Sequence, residues 1–280
     1  MAEEFSLLMS VWGGDDPAFL ESAFRSVVHD QTRRPDDVVL VQDGPVPQPL
    51  HDMITRLIGS SPVPTTLLAL DANVGLGVAL DQGMAACAHD IVARMDADDI
   101  ALPHRFAVQV PLVEAGVDLV GSSLLEFGVD VDDIVGRRVP PIDPDAIVGY
   151  ARFHQPFNHP TVVYRRRAVE AAGGYRHLAL MEDYLLFAKM IGQGVRVANV
   201  AEPLVLYRVG AGAYARRGGL AMLKSEWQLQ RRLFDLGFTG RLQFGRNVVV
   251  RGGYRLVPEA IRKTAYRFLV ARKGERRSRH

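Results

Sequence analysis

Three carboxylates within four positions, Asp96, Asp98 and Asp99, are the side chains of this sequence best suited to chemistry. They follow the apolar run of residues 91–95, a pattern typical of a short buried strand. Because side chains alternate along extended backbone, we expect Asp96 and Asp98 to point to the same side. Carboxylate pairs bind Mg²⁺ or Mn²⁺, and these metals also bind substrate phosphates. The alternative interpretation is an acidic turn that caps the next helix.

The segments around these carboxylates alternate between strand and helix patterns. Apolar runs predict strands at residues 5–11, 38–41, 65–70 and 91–95. A helical pattern follows each strand, at residues 17–28, 49–58, 77–88 and 103–115. This alternation predicts an α/β fold in which helices flank a parallel sheet.

Polar or glycine-containing loops follow the four predicted strands. Trp12 follows the first strand, Asp43 the second, Asn73 and Gly77 the third, and the aspartate cluster the fourth. Each is an ordinary turn former, but ligands bind parallel sheets beyond the carboxyl ends of the strands. The shared edge therefore predicts one binding site. No dinucleotide-binding glycine motif follows the first strand and no P-loop motif occurs, which favours a metal as the phosphate-binding element.

Polar residues later in the chain have two interpretations each. Glu182 and Asp183 open an amphipathic helix. They are either site residues or ordinary helix-start residues, because the helix dipole favours acidic side chains in the first turn. His159 is predicted either to line an acceptor cleft or to bond to the backbone of a turn. The glycine-rich residues 207–219 predict either a solvated linker or a lid whose arginines close over a diphosphate. Those arginines are Arg208, Arg216 and Arg217.

Charge is distributed unevenly along the chain. Residues 211–280 contain 17 Lys and Arg against 4 Asp and Glu, or +13, which leaves 16 against 28, or −12, for residues 1–210. Amphipathic patterns predict basic helices at residues 220–236 and 258–273. We expect the first to pack on the body and the second to lie on an anionic membrane surface, with packing on the acidic body as the alternative. Too few aromatic residues accompany the basic ones to predict nucleic-acid binding.

Composition places the chain in the cytoplasm. Cys87 is the only cysteine, which excludes an internal disulfide, and it lies in an apolar helical pattern typical of a buried thiol. No apolar run reaches the roughly 18 residues of a membrane span, and the first residues lack the pattern of a secretory signal. With the basic helix, we expect a cytoplasmic protein that is peripheral on the inner face of the cell membrane.

Together and in this order, these motifs resemble those of family 2 glycosyltransferases of the GT-A type. The resemblance covers roughly residues 5–210, and residues 7–12, 31–35 and 103–109 are especially similar to bacterial exopolysaccharide transferases of the amylovoran type. The matching segments are Ser10-Val-Trp12, Val41-Gln-Asp-Gly44, Asn73-Val-Gly-Leu-Gly77, Arg94-Met-Asp-Ala-Asp-Asp99, Asn158-His-Pro160 and Glu182-Asp183.

The resemblance implies an architecture and a set of site residues. It implies a Rossmann-like GT-A domain at residues 1–210, with a nucleotide-binding half at 1–115 and an acceptor-binding half at 116–210. The charge and amphipathic patterns predict that a basic helical tail follows at 211–280. The resemblance implies a donor site of Val11, Trp12, Asp43, Asn73, Gly77, Arg94, Asp96, Ala97 and Asp98. Asp43 would accept from the base, Asp96 and Asp98 would bind Mn²⁺ or Mg²⁺, and Asp183 would be the general base. The acceptor or lid residues would be Glu182, His159, Arg208, Arg216 and Arg217.

The implied reaction is transfer of one hexose from a UDP-sugar to a glycan or polyprenyl-diphosphate-linked acceptor. Galactose is the expected hexose. A single base without an opposing nucleophile predicts inversion at the anomeric carbon, and the absence of the Q-x-x-R-W signature of processive synthases predicts a single addition. The alternatives are a sugar nucleotidyltransferase and a non-catalytic glycan- or membrane-binding protein on the same fold.

Overall fold

The computed structural model of the chain describes residues 2–209 and 220–256. The predicted lid residues Arg216 and Arg217 and the predicted helix at 258–273 lie outside the described residues. The first elements are β1 (Phe5–Trp12), α1 (Pro17–Val28), β2 (Asp37–Asp43), α2 (Gln48–Ser60), β3 (Thr65–Ala69), α3 (Leu76–Ala86) and β4 (Ile91–Asp96).

A second series of elements completes the described fold. These are β5 (Ile100–Ala101), α4 (Arg105–Glu114), β6 (Leu119–Phe127), β7 (Ile134–Arg138), α5 (Pro144–Ala151), a 3₁₀ turn (His159–Thr161), β8 (Val163–Arg165), α6 (Arg166–Ala171), α7 (Glu182–Gly192), β9 (Val197–Arg208), α8 (Leu220–Asp235) and α9 (Arg241–Leu256).

The strands of the described residues form one sheet in the order β3-β2-β1-β4-β8-β6-β9-β5, with β7 paired to β6. The strands β1 to β4 run parallel to one another, so their carboxyl ends meet at one edge. Beyond β4 the sheet is mixed, since β8 runs antiparallel to both β4 and β6 while β9 runs parallel to β6. The α/β fold predicted from the alternating patterns is confirmed.

The apolar strands are buried because helices cover both faces of the sheet. In β1, Leu7 and Met9 share a core with Phe24 of α1. Leu8, which points to the opposite face, shares a second core with Leu80 of α3 and Phe187 of α7. Strands buried on both faces are near-continuous apolar runs, which is why the sequence pattern locates them correctly.

Local signals set the ends of the helices that border the site. The Asp16 carboxylate accepts the backbone N–H of Ala18 at 2.8 Å, and Pro17 occupies the first helical position of α1. Both features favour the start of a helix. The loop between β1 and α1 is therefore short, which keeps its polar residues close to the end of β1.

The tail beyond residue 210 shares a core with the body. Leu229 and Leu233 of α8 are buried against Met181 and Leu185, which confirms that the first predicted tail helix packs. The helix α9 is an element that the sequence patterns did not predict. No helix in the described ranges has both the length and the apolar composition needed to cross a membrane. The domain boundary at residue 210 stays a prediction.

A buried ion pair joins α9 to α8. The Glu226 carboxylate, 1% exposed, accepts from Arg251 Nε at 2.5 Å and from Arg255 Nη2 at 3.0 Å. Removing one partner of a buried ion pair leaves an uncompensated charge. We therefore expect Glu226→Ala to lower the free energy of unfolding by about 3 kcal/mol, measured by urea denaturation.

An exposed ion pair supplies the matched control for Glu226→Ala. Glu21 accepts from Arg56 at 3.2 Å, and both side chains are about half exposed. Glu21→Ala should cost less than about 1 kcal/mol, because water screens such pairs. Equal losses in the two variants would contradict a structural role for the buried pair.

Candidate active site

The carboxyl edge of the parallel strands brings the predicted site residues together. In the sheet register, Ser10 of β1 lies beside Asp96 of β4, and Trp12 lies beside Asp43 of β2. Trp12 is 51% exposed, whereas Asp43 is buried. The edge therefore presents an aromatic surface next to acidic groups, as the sequence predicts.

Asp96, Asp98 and Asp99 form a carboxylate cluster just after β4. One oxygen from each lies within 4.8 Å of the others. The strand ends at Asp96 and residues 97–99 turn, so a turn rather than strand alternation brings Asp98 towards Asp96. Asp99, which the sequence predicts as part of the cluster but not as a metal ligand, is fully buried. Its Oδ2 has no hydrogen-bond partner within the described ranges.

The carboxylates in this cluster destabilise one another's charge. Burial and the charge of Asp96 raise the pKa of Asp98 to about 6. The pKa of the buried Asp99 lies well above its ordinary value for the same reasons. Such a group of oxygens is chemically suited to a divalent cation, which would remove the repulsion and engage the unpartnered oxygen of Asp99. Asp96, Asp98 and Asp99 are thus the residues that fit a metal.

Asp15 is a fourth carboxylate near the cluster, and it was not among the predicted site residues. Its Oδ2 accepts the backbone N–H of Trp12 at 2.9 Å. Burial raises its pKa to about 6, and the charges of Asp98 and Asp96 add to that rise. Asp15 therefore couples the end of β1, where Trp12 lies, electrostatically to the carboxylate cluster.

Arg94 supplies a buried positive charge behind the cluster. The side chain is 1% exposed, and its Nη2 donates to Asp96 Oδ1. Its Nε and Nη1 have no hydrogen-bond partner in the part of the chain that the structure describes. Arg94 is a predicted donor-site residue, and in the structure it contacts Asp96 from inside the protein.

Arg208, which the sequence suggested as a lid residue, lies beside the carboxylate cluster. It is the last residue of β9, and its backbone N–H donates to Asp99 Oδ1 at 2.8 Å. Its Nε donates to the carbonyl oxygen of Asp98 at 3.0 Å, and its guanidinium lies 3.8 Å from the ring centroid of Phe19. These contacts hold Arg208 beside the cluster in this structure, and its predicted role in a lid stays a prediction.

Asp43 organises the loop that precedes α3. Its two carboxylate oxygens accept the backbone N–H groups of Val74 and Gly75, at 2.7 and 3.0 Å. Asn73 is exposed, and its Nδ2 donates to the carbonyl oxygen of Asp43 at 3.4 Å. Gly75 has a φ of +87°, which favours glycine. Asp43 thus fixes this loop, a role that the sequence motif alone did not reveal.

Val11 and Ala97 lie at the same edge but have buried side chains. Both belong to the core on the α1 side of the sheet. Only their backbone groups are in a position to contact a ligand. Their predicted assignment to the donor site therefore concerns main-chain atoms.

Gly77 joins the first half of the fold to α7. A Cβ atom at Gly77 would lie 3.1 Å from Cβ of Glu182, which is closer than ordinary van der Waals contact. Glycine at this position lets the start of α3 approach the start of α7. Two segments that are about one hundred residues apart in sequence thereby reach one cleft.

Asp183 lies at the start of α7, and 15% of its side chain remains exposed. Its Oδ2 accepts from Gln155 Nε2, and its Oδ1 accepts the N–H of Tyr184 at 2.7 Å. Burial, and then the charge of Glu182, raise the pKa of Asp183 to about 7. A carboxylate with this pKa is suited to proton transfer near neutral pH.

His159 contacts Asp183 from the 3₁₀ turn. Its Nδ1 lies 3.7 Å from Asp183 Oδ2, and its Nε2 lies 2.8 Å from the hydroxyl of Tyr175. Burial and the charge of Arg94 hold the pKa of His159 well below its ordinary value, so the ring is neutral. Its partners are side chains, which differs from the backbone-bonded turn histidine weighed from the sequence.

Similarity to known proteins agrees with this geometry. The family model for Glycosyl transferase family 2 matches residues 6–173. An uncharacterised glycosyltransferase of Haemophilus influenzae is 40% identical over 94% of this chain and 97% of its own length. The amylovoran biosynthesis glycosyltransferase AmsE of Erwinia amylovora is 36% identical over the same shares. The UDP-Gal:alpha-D-GlcNAc-diphosphoundecaprenol beta-1,3-galactosyltransferase of Escherichia coli is 30% identical over 96% and 97%.

Solved structures share the fold at low sequence identity. Residues 1–349 of S. aureus TarS in complex with UDP-GlcNAc superpose with a TM-score of 0.65 at 14% identity, covering 88% of this chain and 70% of that one. The mannosyltransferase PcManGT of Pyrobaculum calidifontis, in complex with GDP-Man and Mn²⁺, gives a TM-score of 0.63 at 15% identity, covering 96% and 81%. The GT-A fold implied by the motifs is confirmed, and the chain belongs to glycosyl transferase family 2.

Proposed function

We propose that this glycosyltransferase moves one hexose from a UDP-sugar to a polyprenyl-diphosphate-linked or growing surface glycan, with inversion at the anomeric carbon. The observation that supports it most strongly is the placement of Arg94. This buried cation donates to Asp96 of the carboxylate cluster, and its charge partly opposes the rise in the pKa of Asp183 that burial and the charge of Glu182 cause. Arg94 therefore couples the proposed metal-binding carboxylates electrostatically to the proposed base, whose pKa lies near neutral.

Relatives support the choice of donor and acceptor. The E. coli relative is named for a UDP-galactose donor and a diphosphoundecaprenol-linked acceptor, and the Erwinia relative for amylovoran biosynthesis. TarS was crystallised with UDP and with UDP-GlcNAc. These two relatives align with 94% and 96% of this chain, which supports carrying a lipid-linked or growing glycan over as the acceptor. Galactose as the hexose rests on the E. coli relative.

The donor site follows from the carboxyl edge. Trp12 offers an exposed indole on which the nucleotide base can stack. Asp43 holds the loop that carries Asn73 and leads to Gly77, through hydrogen bonds to its backbone N–H groups. Asp96 and Asp98 would hold Mn²⁺ or Mg²⁺, with Asp99 as a further ligand. Such a cation, when bound, would stabilise the negative charge on the diphosphate leaving group as a Lewis acid.

Asp183 is the proposed general base. Its carboxylate accepts the proton of the acceptor hydroxyl while that oxygen forms a bond to the anomeric carbon. On the opposite side of that carbon, the bond to the phosphate oxygen breaks and its electron pair leaves with UDP. A single displacement of this kind inverts the anomeric configuration. Gln155 and the neutral His159 orient the carboxylate, and Glu182 keeps its pKa high.

The tail supports a location at the membrane. Residues 211–280 carry a net charge of +13, which favours an anionic surface on the cytoplasmic side of the cell membrane. The predicted helix at 258–273 and the predicted lid arginines Arg216 and Arg217 remain part of this proposal. A peripheral position there would place the cleft near a lipid-linked acceptor.

Replacing the base tests the proposed reaction. We expect Asp183→Asn to lower the rate of UDP release from UDP-galactose by about 10²–10⁴-fold with a polyprenyl-diphosphate-linked acceptor. Calorimetric UDP affinity should stay within about twofold, because Asp183 is not a proposed donor ligand. In the wild type, the rate should rise as pH increases through about 7, since the deprotonated form is active. Full activity of the Asn variant would contradict the assignment.

Removing the buried charge tests how the two groups are joined. The charge of Arg94 lowers the pKa of Asp183, so Arg94→Met should move the midpoint of the pH–rate profile upward. Arg94→Lys keeps the charge and should leave the midpoint near that of the wild type. Arg56→Met, on an exposed helix, is the control for a general effect of losing an arginine. An unchanged midpoint in a folded Arg94→Met protein would contradict electrostatic coupling.

A further inference from the structure

The helix α9 has its apolar and charged faces reversed. Four large apolar side chains face outward, at 92%, 74%, 63% and 47% exposure, and these are Leu242, Val249, Val250 and Tyr254. The inward face instead carries Asn247, Arg251 and Arg255, which bond to the body and to α8. A surface helix of a water-soluble domain normally shows the opposite arrangement.

The outward side chains form one continuous strip. Residues 242, 249, 250 and 254 recur at helical spacing, so they lie on one side of α9. Gly245 and Gly253 have no atoms within 4 Å of the position of an added Cβ, so no neighbouring element covers them in the described structure. The strip therefore faces open space along about three helical turns.

An apolar groove lies beside this strip, between α8 and α9. The cavity has a volume of about 390 Å³. It is lined by Leu223, Lys224, Glu226, Trp227, Val248 and Gly252. Trp227 is 53% exposed even though it borders an apolar cavity. An exposed tryptophan with a lysine at its side is typical of a surface that enters the interface of a bilayer.

The positive charge of the residues around this surface indicates which kind of partner it binds. Residues 220–256 contain seven Lys and Arg against two Asp and Glu, and Glu226 is one of the two acids and is buried. Residues 257–280 contain eight against two, so that segment of the chain has the same sign as α9. A second copy that docks through the same face would likewise bring two basic tails together. Both of these occupants would be repelled, whereas an anionic lipid surface would be attracted.

We propose that the outward strip of α9 and the adjoining α8–α9 groove form a docking surface for an anionic phospholipid bilayer. The aliphatic side chains enter the boundary between headgroups and acyl chains, and the exposed Lys224, Arg241 and Arg246 bind lipid phosphates. This surface lies within residues 220–256, and it acts separately from the predicted helix at 258–273. It does not depend on which sugar is transferred or on the role of Asp183.

Flotation of the full-length protein with vesicles tests the docking surface. The variant Leu242→Ser/Val249→Ser/Val250→Ser removes apolar surface without changing charge. It should lower the partition coefficient on phosphatidylcholine–phosphatidylglycerol vesicles by about tenfold or more, because each buried CH₂ is worth roughly fourfold. Wild-type binding should fall on phosphatidylcholine alone. UDP affinity should be equal in both proteins, which separates this test from the proposed transfer reaction.

A matched variant controls for loss of exposed aliphatic surface elsewhere. Val129, Val139 and Ile142 are at least 49% exposed and lie outside α8 and α9. Val129→Ser/Val139→Ser/Ile142→Ser should float like the wild type. Wild-type flotation of the α9 variant would overturn the proposal. Dissociation of a dimer by the α9 variant without a change in flotation would assign the strip to a second copy and would also overturn it.

Site-specific fluorescence locates the contact directly. Cys87 is buried, so an environment-sensitive label reacts with a cysteine introduced at an exposed position. A label on Val250→Cys should brighten and shift to shorter wavelength when anionic vesicles are added. The same label on Val129→Cys should not respond. Equal responses at both sites, or none at Val250→Cys, would contradict insertion of α9.

Discussion

The positive charge of Arg94 lies inside the protein, where water does not screen it, and the site is arranged around that charge. Its guanidinium donates to Asp96, and its field reaches Asp183 and His159. Arg105, buried next to it, donates to the carbonyl oxygen of Arg94 at 2.7 Å and fixes the backbone there. Buried charges are costly unless they are paired, so the carboxylate cluster and this arginine stabilise each other.

The parallel strands make this pairing possible. The strands β1, β2, β3 and β4 end at one edge of the sheet. Acidic residues from the separate loops that follow these strands therefore lie close together there. Burial, and then repulsion among these acids, raises the pKa values of Asp15 and Asp98 to about 6. A site with this much uncompensated negative charge is prepared for a cation and for the diphosphate that the cation carries.

Periodicity predicted the positions of β1 to β4 and of their helices because buried parallel strands are apolar throughout. It also placed Asp96, Asp98 and Asp183 at element ends. It did not single out Asp15, which tertiary contacts bring to the cluster, and it placed Asp99 in the cluster without predicting a ligand role for it. The helix α9 escaped prediction because Gly245, Gly252 and Gly253 lie within it, and glycine disfavours a helix interior.

Similar reasons explain the remaining differences. Arg208 lies next to a glycine-rich segment in sequence, which suggested a lid, yet its bonds to Asp98 and Asp99 are long-range. The close contact of Gly77 with Glu182 is equally invisible in a linear motif. Family membership makes the chain a glycosyltransferase, rather than the nucleotidyltransferase or non-catalytic binding protein that the sequence alone left open.

The measurement that tests the central claim most directly is calorimetric titration of UDP, with and without Mn²⁺, into the wild type and Asp98→Ala. GDP and dTDP serve as competing nucleotides. The account predicts tight UDP binding that requires both the metal and Asp98. Binding of UDP that is independent of the metal and unchanged in Asp98→Ala would show that the carboxylate cluster is an acidic turn and not a donor site.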